Sequence, residues 1–313
     1  MTRIGMLAPA SALASASAGA AWLVAAVLAG LAALALPVQA QELTGTLAKA
    51  RSTGAITIGY RESSVPFSYL NARKEPIGYS IELCRSLVSS IEDAVNKSLA
   101  IKWVPVTSDS RIDAVVSGKV DLECGSTTSN LERQKRVSFS PTMFVSGTKV
   151  LVKKGSPIKS FRDLAGKKVA VTAGTTNEKT LRELSDKFKL GINLLVTPDH
   201  AESFGLVKSG QADAFATDDV LLYGLIAQDA AKANYEVVGD FLSYDPYGIM
   251  YRKDDAQLNK LVVDAFQVLA EDGEIERQYK RWFLRKLPTG ESINLPMSAQ
   301  LETIIQTMSV KAE

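Results

Sequence analysis

Arg61, Arg111 and Arg133, the hydroxyl residues Ser108, Ser126, Thr128, Thr175 and Thr176, His200 and Asp218 each fall near the end of an apolar stretch. The densest group is Asp121-Leu-Glu-Cys-Gly-Ser-Thr-Thr-Ser-Asn-Leu-Glu-Arg133. Its apolar start breaks at Gly125, opens into a run of hydroxyl and amide residues, and closes on an arginine at the start of a helix. A guanidinium offers two parallel N–H donors, and hydroxyls at a strand end complete a cradle for a carboxylate. One such arginine, opposed by one acid (Asp218) for an ammonium, describes an α-amino acid. The other two arginines call for a second anion on the ligand, because unpaired charges are costly in a closed cleft. Thr175-Thr-Asn-Glu178 has capping-box spacing and presents a helix N-terminus that favours an anion. Taken singly, each of these residues has a plainer reading as a solvated arginine or a structural histidine. Their joint position is what points to a site.

The elements that would position them alternate. Strands are expected over 55–60, 101–106, 149–153, 168–172, 193–197, 212–216, 235–238 and 248–251, and helices over 43–51, 80–99, 112–117, 201–208, 220–231, 257–270 and 274–283. Apolar residues Ile81, Cys84, Leu87, Val88, Ile91 and Val95 carry the helical period. Such alternation implies an α/β chain with parallel sheets covered by helices on both faces. It occurs twice, giving a first lobe over 41–145 plus 245–313 and a second over 146–244, with crossings near Ser146 and Phe241 as hinges. In sheets of this kind a ligand lies beyond the strand C-termini, here between the lobes.

Composition sets the outer bounds. The chain has 313 residues, 46% hydrophobic and 22% charged, with a net charge of +2. That balance argues against nucleic acid, which calls for a concentrated basic face. Arg3, the apolar run Ala20 to Leu36 and the small-residue exit Val38-Gln39-Ala40 read as a secretory signal over 1–40, with an uncleaved anchor as the alternative. Gln41 at the exit is not a lipid-attachment cysteine. Cys84 and Cys124 are the only cysteines. In an oxidising compartment a disulfide between them is expected, with two buried free thiols as the alternative. Two cysteines and one histidine do not make a zinc site, and neither a metal nor a cofactor is expected. No nucleophile elbow, phosphate loop or dinucleotide fingerprint is present.

Ile58-Gly-Tyr-Arg-Glu-Ser-Ser-Val-Pro-Phe-Ser-Tyr69, Ile77-Gly-Tyr-Ser80, Thr107-Ser-Asp-Ser-Arg111 and Glu123-Cys-Gly-Ser-Thr-Thr-Ser-Asn-Leu-Glu-Arg-Gln-Lys135 resemble the periplasmic glutamate/aspartate-binding proteins of ABC importers, within the polar amino-acid solute-binding family. Val171-Thr-Ala-Gly-Thr-Thr176, Asp199-His200, Ser203-Phe204 and Asp218-Asp219 continue the likeness, which spans about residues 43–283. The resemblance implies a two-lobed periplasmic-binding-protein fold with a hinge, a monomer that hands L-glutamate or L-aspartate to membrane permease subunits, and no catalysis. It implies that Arg133, Ser126 and Thr128 hold the α-carboxylate and Asp218 the ammonium. Arg61, Arg111, Ser108, Thr176 and His200 would then surround the side-chain carboxylate. Tyr60 and Ser129 depart from the family pattern without changing a charge. The competing expectations are a cyclohexadienyl dehydratase-like enzyme on the same fold and a tethered sensor domain.

Overall fold

The computed structural model describes residues 1–2 and 42–310. Residues 3–41, which hold nearly all of the expected export signal, lie outside the described residues. No described helix is long and apolar enough to cross a membrane.

Two five-stranded sheets organise residues 43–310. The first runs in the order Ala100–Pro105, Ala55–Tyr60, Leu122–Glu123, Met250–Arg252, Val137–Phe139. Its first three strands are parallel and the last two pair antiparallel to their neighbours. The second runs Asn193–Thr197, Lys168–Thr172, Ala214–Asp218, Thr148–Lys153, Tyr235–Val238, again parallel for three strands and antiparallel beyond. The expectation of all-parallel sheets therefore needs correcting. In each sheet the alternating strands and helices build the parallel part, and one strand, the one that follows a crossing (Thr148–Lys153 or Met250–Arg252), runs the other way between two neighbours.

Sequence pattern explains the elements. Ile56 and Ile58 are fully buried in the central strand of the first sheet. Helix Tyr79–Val95 buries Ile81, Cys84, Leu87, Val88, Ile91 and Val95 against it. The helix stops at Asn96, whose φ of 49° is left-handed, short of the expected end at 99. Helix Asp219–Gln228 likewise ends before Ala231, and the strand expected over 212–216 lies at Ala214–Asp218. The loop expected after Tyr60 instead folds into three short antiparallel strands, Ser63–Ser64, Ser68–Leu70 and Pro76–Ile77. A disulfide joins Cys84 on the helix to Cys124 just past the strand Leu122–Glu123.

The crossings lie side by side. Phe144–Ser146 and Asp245–Tyr247 pair antiparallel, with Asp245 opposite Ser146 and Tyr247 opposite Phe144. A Cβ on Gly147 would lie 2.3 Å from the Ser243 carbonyl oxygen, so the two crossings approach too closely for any side chain there. Helix Ala299–Met308 returns to the first lobe and buries Leu301 and Ile305 in its core.

Candidate functional site

Every residue singled out from the sequence lies at or beyond the C-terminal end of a strand. Arg61 follows Ala55–Tyr60, and Ser108 and Arg111 follow Ala100–Pro105. Ser126, Thr128 and Arg133 follow Leu122–Glu123. Across the cleft, Thr175 and Thr176 follow Lys168–Thr172, His200 follows Asn193–Thr197, and Asp218 ends Ala214–Asp218. All except Thr176 are buried. A narrow space is lined by Ser108, Arg111, Ser126, Thr128, Thr175, Thr176, His200 and Asp218, together with Asn177 and Leu221. Arg61 and Arg133 are not part of its wall.

On the first-lobe side, Arg111 donates from Nη1 to the Ser126 carbonyl at 3.1 Å and to Thr127 Oγ1 at 2.8 Å. Thr127 in turn donates to Glu123 Oε2 at 2.6 Å. Arg61 Nη1, Arg111 Nε, Ser108 Oγ and Ser126 Oγ are buried without a hydrogen-bond partner. Orphaned donors of this kind are costly and mark a surface shaped for something else to meet. Burial pushes the Arg61 guanidinium down to about 9, helped by Arg111 and opposed by Glu123. Burial also lowers Arg111.

Arg133 bridges the lobes. Its Nη1 donates to the Thr128 carbonyl at 2.9 Å and its Nη2 to the Gly174 carbonyl across the cleft at 3.2 Å. Asn130 caps its helix by accepting from the Arg133 backbone N–H. Burial and the nearby Arg111 bring the Arg133 guanidinium down to about 10, against Asp245 and Glu123. Beside it, Asp245 Oδ1 accepts from Thr128 at 3.0 Å and from Thr176 at 2.9 Å, one from each lobe.

Thr175 caps helix Thr176–Phe188 by accepting from the Glu178 N–H. Asn177, in the first turn, donates from Nδ2 to Asp218 Oδ1 at 2.7 Å, and Tyr247 donates its hydroxyl to Asp218 Oδ2. Burial, with Asp245 adding repulsion, raises the Asp218 carboxyl to about 7. His200 begins helix His200–Ser209, with Nδ1 at 2.9 Å from Thr172 Oγ1. Burial and the two arginines Arg61 and Arg111 hold it well below the usual histidine range, so it is neutral at pH 7.

The site therefore contains three guanidiniums and three carboxyls, Glu123, Asp218 and Asp245. The sequence reading had one acid, and on that point it is corrected. Glu123 sits inside an apolar strand and Asp245 on a crossing, so neither stood out. Glu123 and Asp245 offset two of the three guanidiniums, so the case for an extra anion on the ligand rests on the unpartnered Arg61 Nη1 and Arg111 Nε rather than on the number of arginines. The described residues contain no cluster of histidine, cysteine and carboxylate side chains able to hold a metal ion.

Residues 56–285 match the bacterial extracellular solute-binding proteins, family 3. The chain belongs to that family. Among family relatives, the L-glutamate/L-aspartate-binding protein of Pseudomonas aeruginosa is 44% identical over 89% of this chain and 93% of its own length. The glutamate/aspartate import solute-binding protein of Escherichia coli K12 is 40% identical over 85% of this chain and 89% of its own. A solved ancestral amino acid-binding protein, a precursor of cyclohexadienyl dehydratase, superimposes with a TM-score of 0.66 at 31% identity, covering 76% of this chain and 99% of that one. As in other family 3 proteins, the architecture of this solute-binding protein is two lobes around a cleft.

Proposed function

We propose that this solute-binding protein captures L-glutamate or L-aspartate outside the cytoplasm and delivers it to the permease of an ABC importer. The observation that carries the reading is the buried pair Arg61 and Arg111, with unpartnered guanidinium N–H groups, set beside a neutral His200. A side-chain carboxylate fills that vacancy in hydrogen bonding, whereas an amide brings no charge. Arg133 with Ser126 and Thr128 takes the α-carboxylate, and Asp218, held by Asn177 and Tyr247, takes the ammonium. Arg61, Arg111, Ser108, Thr175, Thr176 and His200 face the side chain.

The protein acts in the periplasm as a monomer, following removal of residues 1–40. Its lobes, 41–145 plus 245–313 and 146–244, rotate about the paired crossings Phe144–Ser146 and Asp245–Tyr247. The match of two glutamate/aspartate-binding relatives over most of their length supports the ligand class.

Equilibrium binding of the mature protein to a panel of amino acids tests this. Glutamate and aspartate bind, glutamine binds at least about tenfold more weakly, and arginine does not compete, since each charge-assisted contact is worth about 1.5–3 kcal/mol. Equal affinity for glutamine and glutamate would sink the reading. Dehydratase chemistry on this fold predicts turnover of prephenate or arogenate, which the same preparation should leave unchanged.

A further inference from the structure

We propose that Glu123 sets the charge specificity of the side-chain end of the cleft, reducing two arginines to a net single positive charge so that the pocket accepts a singly charged acid and rejects a doubly charged one. This inference rests on the acidic amino-acid reading above. Glu123 is completely buried in strand Leu122–Glu123, opposite Gly59 and Met250. Its Oε2 accepts from Thr127 at 2.6 Å, and the same Thr127 oxygen accepts from Arg111 Nη1 at 2.8 Å. Arg111 is thus tied to the carboxylate through one hydroxyl.

The link to Arg61 is steric. A Cβ placed on Gly125 would lie 2.3 Å from Glu123 Oε1 and 2.9 Å from Arg61 Cγ. Glycine at 125 is therefore what lets the carboxylate and the arginine stem share that space. Glu123 Oε1, Arg61 Nη1 and Arg111 Nε are all buried without a hydrogen-bond partner. A carboxylate placed for packing alone would have no reason to sit there, because a buried acid is costly unless nearby charge answers it.

The electrostatics are simple. His200 is neutral, so the buried groups Arg61, Arg111 and Glu123 together carry one net positive charge, with Asp199, half-buried beside His200, acting on Arg61 from outside this group. A ligand carboxylate cancels it. A dianion would leave an uncancelled negative charge in a low-dielectric site, where like-charge interactions are strong.

Two amino acids of matched shape test the idea: L-homocysteate, whose tetrahedral sulfonate is singly charged, and L-2-amino-4-phosphonobutyrate, whose tetrahedral phosphonate is doubly charged above its second ionisation. Their affinities are measured by calorimetry just above that ionisation and well below about 9, where Arg61 would lose its proton, with glutamate alongside. Wild-type protein should prefer the sulfonate by at least about tenfold, a margin of about 1.4 kcal/mol. Glu123→Gln, which keeps the shape and the Thr127 contact, should shrink or invert that preference while glutamate still binds. If wild-type protein binds the phosphonate as tightly as the sulfonate, the proposal fails whatever the variant does. It also fails if Glu123→Gln weakens all three ligands in one proportion, which is the mark of a merely structural role. Absence of glutamate binding by wild-type protein would instead overturn the acidic amino-acid reading itself.

Discussion

Asp218 carries a charge at odds with its surroundings. Burial and the neighbouring Asp245 raise its carboxyl to about 7, so near neutrality it is partly protonated in the empty cleft. An ammonium docked against it favours the ionised form and lowers that value. Binding therefore releases protons near pH 7, and affinity rises as pH increases towards about 7 and then levels off. Calorimetry in buffers of different ionisation enthalpy reads the proton directly, and Asp218→Asn should abolish the release. Ligand binding without proton release near pH 7 would show that the ammonium does not meet Asp218. At this scale the arginines and hydroxyls were legible because they stand where apolar strands end. Glu123, Asn177, Asp245 and Tyr247 were not. Glu123 alternates with apolar neighbours in a strand, and the other three reach the cleft through a helix cap and a returning crossing whose position depends on the whole fold.

The element that fixes the central stretch of the first lobe is helix Tyr79–Val95. It is tied to Cys124 by the disulfide from Cys84, and Ser80 donates to the Gly125 carbonyl at 2.7 Å. The bond closes a loop of sequence separation 40. Chain-entropy reasoning gives about 4 kcal/mol for such a loop, and measured disulfides give about 2–4 kcal/mol. The Cys84→Ala/Cys124→Ala protein should lose stability on that scale in denaturant unfolding while still binding glutamate. Unchanged stability would mean the helix packing alone fixes the strand end. Helix and strand identities were readable from period, because Ile81 through Val95 repeat on one face and Ile56 and Ile58 fill a strand. The ends were less so: Asn96 stops its helix by adopting a left-handed conformation that periodicity does not reveal. Nor could local pattern show that Met250–Arg252 runs against the other four strands of its sheet, since strand direction is decided by long-range return of the chain.

At the scale of the whole molecule, closure depends on how near the lobes come. Gly224 lies inside helix Asp219–Gln228, where glycine costs about 1 kcal/mol relative to alanine. A Cβ there would lie 2.2 Å from the Val65 carbonyl oxygen on the other lobe. Gly224→Ala should leave the empty protein at least as heat-stable, yet weaken glutamate by about tenfold or more, with small-angle scattering showing no compaction on ligand addition. Compaction with normal affinity would remove Gly224 from the closure surface. Arg133 bridges to the Gly174 carbonyl across the cleft, and the proposed function divides the labour so that Arg133 reads the α-carboxylate while Arg111 and Arg61 read the side chain. The most direct test is calorimetric titration of Arg111→Ala and Arg133→Ala with both glutamate and glutamine. Loss of Arg133 should weaken the two ligands alike, by about ten- to a hundredfold, because both carry the α-carboxylate. Loss of Arg111 should weaken glutamate by a similar factor and glutamine by no more than about threefold. If both substitutions weakened glutamate and glutamine in the same proportion, the assignment of separate arginines to the two ends of the ligand would be contradicted.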